Sequence, residues 1–101
     1  MALKAAFMFV APGADAQKHR SLVETPEVNL VVVGVPDYAA AEKVAVELVA
    51  EGVVAIELCG GFGHIGTSRV AQAVEGKAAV GVVRFDNHPG LGGTSGDEIF
   101  E

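Results

Sequence analysis

The sequence predicts an α/β domain: an open, mainly parallel four-stranded sheet with three helices, in the order βαβαβαβ. Three observations carry that expectation. Four short apolar runs, Leu3 to Ala11, Val28 to Val35, Val53 to Cys59 and Ala78 to Phe85, are each bounded by glycine, proline or charge. Their interiors, such as Phe7-Met8-Phe9-Val10 and Leu30-Val31-Val32-Val33, do not alternate with polar residues, which is the pattern of parallel strands buried on both faces. Between the runs, apolar residues recur at helical spacing.

The elements follow in order. The opening Met1-Ala2-Leu3-Lys4-Ala5-Ala6-Phe7 has one cation before its apolar run, which Pro12-Gly13 ends; it fits a first strand better than a secretion signal. Ala14 to Glu24 reads as the weakest helix, with Leu22, Val23, Ala16 and His19 its only core stripe and Pro26 its end. After the second strand, Asp37 to Glu51 carries Ala41, Val44, Ala45, Leu48 and Val49 on one stripe, with Asp37 as cap and Gly52 as a left-handed stop. The third helix, about Ile65 to Glu75, places Thr67, Val70, Ala71 and Val74 on one face before Gly76. Residues 1–90 thus form a single α/β domain. Residues 91–101 form a Gly-rich C-terminal tail whose Ile99 and Phe100 suggest a hydrophobic anchor, serving as a lid over the site or an arm onto another chain.

A strand order 2-1-3-4 with right-handed crossovers puts the first helix on one face and the other two opposite. One helix cannot cover four strands that are apolar on both sides, so the tail or a second copy must help, and a homo-oligomer, most simply a dimer, is expected. A half-barrel of βα units is the alternative and needs a partner too.

The 101 residues hold 7 Lys plus Arg against 13 Asp plus Glu, a net charge of −6. Scattered cations in an acidic chain make no stripe for phosphate backbones, so nucleic acid is not an expected partner. Cys59, the single cysteine, excludes a disulfide scaffold. No apolar run nears the roughly 18 residues of a membrane span, so no membrane partner is expected and the location reads as cytoplasmic.

The unusual residues gather where the strands end, the usual ligand side of α/β sheets. The third strand runs into Cys59-Gly60-Gly61-Phe62-Gly63-His64, and the fourth into Asp86-Asn87-His88-Pro89-Gly90. Gly60, Gly61 and Gly63 before a helix allow amides to turn toward an anion, with hydroxyls from Thr67 and Ser68. The string Gly61-Phe62-Gly63-His64-Ile65-Gly66 resembles a dinucleotide fingerprint, but it follows the wrong strand in too short a chain. A tight turn needing glycine for its geometry alone explains the loop equally well. Cys59 near a helix start, with His64 as base, is a candidate nucleophile, against buried packing as the plain alternative. Glu57 is a charge inside an apolar strand. It is expected either to pair with Arg84 on the neighbouring strand or to act as acid or base while Arg84 grips the anion. Arg84, Asp86 and His88 alternate onto one side, with Asn87 beside them. No finger-like metal spacing occurs, and neither metal nor cofactor is expected. Tyr38 follows the helix cap and would rim the pocket.

Glu57-Leu58-Cys59-Gly60-Gly61-Phe62-Gly63 and the ending Val83-Arg84-Phe85-Asp86 resemble a family of small, uncharacterised prokaryotic proteins of about this length, a domain of unknown function. The resemblance covers nearly the whole chain and implies no activity or catalytic residue. The expectation is therefore a site for a small anionic molecule, with enzyme action undecided among Glu57, Cys59, His64 and His88. A non-catalytic regulatory or oligomeric assembly protein is the alternative.

Overall fold

The computed structural model describes residues 2–101. Five strands, β1 (Leu3–Val10), β2 (Arg20–Glu24), β3 (Val28–Val35), β4 (Ala55–Leu58) and β5 (Ala79–Val82), form one sheet in the order β2-β3-β1-β4-β5. β1 runs parallel to both β3 and β4, and β4 parallel to β5, while β2 pairs antiparallel with β3. Helices α1 (Tyr38–Ala50) and α2 (His64–Val74) make the crossovers to β4 and β5. The four apolar runs therefore become four neighbouring parallel strands in the expected order.

The expected count of four strands and three helices is corrected to five and two. Ala14–Glu24 is not a helix. Asp15 Oδ1 accepts the amides of Gln17 and Lys18, and His19 Nδ1 accepts that of Asp15, which folds a compact turn. Arg20–Glu24 then adds to the sheet as an edge strand, every residue of it exposed. Thr25 closes the hairpin around Pro26-Glu27, its hydroxyl donating to the Val28 carbonyl at 2.6 Å and accepting the Val28 amide at 2.9 Å.

With no first helix, the predicted division of helices between the two faces fails as well. Both crossovers step the same way along the sheet, and right-handed connections that do so lie on the same side. The core forms there: Ala6, Met8 and Val10, Val33 and Val35, and Ile56 and Leu58 point at Ala41, Val44, Leu48, Val70 and Val74. As predicted, Asp37 caps α1 through the Ala40 amide at 2.9 Å, and Gly52 (φ 103°) turns the chain out of it. On the other face Phe7, Phe9, Leu30 and Val32 are only half-buried, and neither helix covers them.

Candidate functional site

The glycine loop after β4 leads into α2 through Gly63, an extended N-cap with no side chain to satisfy the free amides. A carboxylate does so from far along the chain. Asp97 stands in a single 3₁₀ turn, Gly96–Glu98, which Ser95 and Glu98 fix as a capping box. Its Oδ2 accepts the Ile65 amide at 3.1 Å and its Oδ1 the Gly66 amide at 3.2 Å. Its Oδ1 also takes a hydrogen bond from the Tyr38 hydroxyl at 3.0 Å. The same hydroxyl accepts the Gly63 amide at 3.1 Å and lies 3.3 Å from the Gly61 carbonyl. Ile65 and Gly66, in the first turn of α2 rather than in the glycine loop, thus form a cup of amides, and the chain's own Asp97 fills it.

Tyr38 does not rim a pocket as predicted; it is fully buried. Its ring stacks on Phe62 with centroids 5.4 Å apart, Phe100 leans on it at 6.3 Å, and the Arg69 guanidinium sits 5.9 Å from its centroid. Arg69 Nε also holds Glu42 at 2.7 Å, tying α2 to α1. Burial, reinforced by the Asp97 carboxylate and opposed by the Gly63 amide, pushes the Tyr38 hydroxyl up to about 12. Burial also works against the charge on Asp97, but the amides of Ile65 and Gly66 together with the Tyr38 hydroxyl and nearby His64 hold its carboxyl below the usual carboxylate range.

The loop's glycines are required by what lies against them. Gly60, Gly61 and Gly63 all lack a positive φ. A Cβ on Gly63 would strike the Asp97 carboxyl group, and one on Gly96 would strike the Gly61 carbonyl, a backbone atom that cannot swing aside. Gly63→Ala is expected to push Asp97 out and uncap α2 at about 1–2 kcal/mol. Faster hydrogen exchange at Ile65 and Gly66 would register this, and unchanged exchange would contradict it.

The other predicted residues do not converge. Glu57 is opposite Phe7 and Gly81 on the open face. Arg84, three positions past Gly81 and beyond the end of β5, pairs instead with Asp86, Nη2 to Oδ1 at 2.6 Å, and lies against the His64 ring with Nη1 2.9 Å from Nδ1. The expected Glu57–Arg84 pair is thus corrected. Cys59 Sγ accepts the Gly61 amide at 3.3 Å rather than meeting His64. His88 Nδ1 accepts the Gly90 amide at 3.0 Å and its ring rests on Phe85, so it shapes its own turn. Ser68 accepts from Gln72 along α2, Thr67 is half-buried in the helix's first turn, and Asn87 is exposed. What remains at the strand ends is an exposed corner, Arg84 with Asp86 and His64, beside the cup that Asp97 fills. Among the described residues no three of His, Cys, Asp and Glu converge as metal ligands, and no helix is long and apolar enough to cross a membrane.

Asp97 was not among the expected residues. The one signal for it is local: Ser95-Gly96-Asp97-Glu98 has the serine and glutamate spacing of a capping box, which marks an ordered turn inside an otherwise tether-like composition.

No curated protein and no solved structure matches the chain. A family model described as a family of unknown function, DUF6506, matches residues 3–98. That match takes in every strand, both helices and the Asp97 turn, and on it the chain belongs to this family of unknown function.

Proposed function

We propose that this protein is a non-catalytic binding module for a small anion, a carboxylate or phosphate, taken at the carboxyl ends of the strands. The observation that carries this reading is that a carboxylate already sits in the cup, donated in cis by Asp97, with two amides and a phenol directed at it. A free anion of the same chemistry competes for those donors, and Arg84 alongside can exchange the exposed Asp86 carboxylate for it as a second contact. Catalysis is the poorer reading, because the groups needed to move protons are dispersed. Cys59 and His88 are engaged by their own turns, Glu57 is on the far face of the sheet, and His64 rests on Arg84.

Titration with acetate and inorganic phosphate, followed by amide chemical shifts, tests the proposal. Asp97→Asn removes the competing charge while keeping the size, so the variant is expected to bind either anion at least tenfold more tightly than the parent chain. Gly63 to Gly66 should be the amides that shift. Arg84→Gln in the same background should weaken binding several-fold. If Asp97→Asn, folded by circular dichroism, shows no shift at those amides at millimolar anion, the reading is wrong.

A further inference from the structure

Outside the strand ends, the largest unexplained feature is the sheet face opposite the helices. Its inward positions follow from the register. Phe7 lies between Val32 and Glu57, Ala5 between Leu30 and Ala55, Phe9 beside Gly34, and Val23 beside Leu30. Leu3 and Val23 are about half exposed, at 47% and 50%. Across all five strands, Glu57 is the one charged residue at a position on this face. A parallel sheet with one face bare is an exception to the rule that such sheets are covered on both sides. The tail does not cover it, since Phe100 is spent in the core on the helix side, against Tyr38.

We infer that this face is the interface of a homodimer, two sheets packed face to face about a two-fold axis. The area suits a second copy. Strand residues at about 3.3 Å rise and about 4.8 Å spacing give a flat footprint on the order of 450–500 Å² per chain before side-chain relief. Two such faces together remove on the order of 1,000 Å² from water before side-chain relief is added, about the threshold that a biological interface has to clear. A two-fold pair is self-complementary by construction, and a flat face presenting one charge has little else to match.

The position of that charge selects the direction of the axis. A two-fold running across the strands lays β4 on β4 and opposes Glu57 to its own copy, because Glu57 is level with Phe7 at mid-strand. A two-fold running along the strands lays β4 over the β3 of the other copy. Glu57 then meets the level of Val32 and Ser21, which are paired with each other across β3 and β2. The Ser21 hydroxyl can donate to the carboxylate there. The axis therefore runs along the strands, and both Asp97 cups open at the same end of the dimer.

Sedimentation velocity of the full chain at micromolar concentration tests the interface. The parent chain is expected to sediment as a dimer, and Leu30→Glu and Val23→Lys as monomers with unchanged circular dichroism. Val46→Glu, on an exposed position of α1 at 49%, should remain dimeric. A monomeric parent chain overturns the inference, whether the face is empty or reserved for another protein, and so does a dimer indifferent to both open-face variants. In a Cys59→Ser background, oxidation should cross-link the double variant Val32→Cys/Glu57→Cys between subunits. Cross-linking of Glu57→Cys alone would overturn the axis.

Discussion

A chain ending at Gly90 is expected to lose about 5–8 kcal/mol of stability, which for a domain of this size is much or all of it. Phe100 lies 5% exposed beside Tyr38 in the main core, although the Gly-rich composition ahead of it reads as a tether. Removing a buried phenylalanine costs about 3–5 kcal/mol. Removing Asp97 adds the loss of charge-assisted hydrogen bonds to two amides and a phenol, about 1.5–3 kcal/mol. Phe100→Ala alone should show the first contribution and Asp97→Ala the second in urea melts, with the cut chain largely unfolded in water. A cut chain that melts with the full one would show that the tail merely lies on the surface.

The second large effect is expected at high pH. Tyr38 is the only tyrosine in a chain without tryptophan, so ultraviolet absorbance reads its ionisation without interference. The folded value is raised from the usual 10.0 to about 12. Below pH 10 the phenol is neutral in folded and unfolded chains alike, and its contribution is present in full. As pH rises from 10 to 12 the unfolded chain gives up the proton first, so stability falls across that window by about 2–3 kcal/mol. Tyr38→Phe should abolish this part of the alkaline loss while costing about 1–3 kcal/mol at neutral pH, because the Gly63 amide is left without its acceptor. Titration of the folded tyrosine near pH 10 would refute the buried assignment. Asp97 works at the opposite end: its lowered carboxyl contributes stability above the usual 3.8, which is lost as pH falls through the folded value.

The parallel strands and α1 were legible because their signals are local and strong: uninterrupted apolar runs, an apolar stripe at helical period, Asp37 ahead of it and Gly52 behind. Arg20–Glu24 was misread because an edge strand exposed on every residue carries no core stripe, and Leu22-Val23 fits a short helix as well as a strand. The Glu57–Arg84 pair failed through register. Alternation assigns faces only relative to a known partner, and with Glu57 opposite Gly81 the even-numbered Arg84 falls on the other side. The donors were placed one turn too early, at Gly60 to His64: the amides that hold a carboxylate are those of Ile65 and Gly66, and their acceptor lies 32 and 31 residues later. Spacing along the chain holds no information about such a contact.

That distance also bears on how the protein is made. α2 has no cap of its own, and Asp97 is added 31 and 32 residues after the two amides it accepts. At about 5–20 residues per second, one to several seconds of synthesis separate the start of the helix from its cap. Asp97 and Phe100 stand three positions apart, so the start of the second crossover and the Tyr38 side of the core are closed by the same late-made stretch of chain.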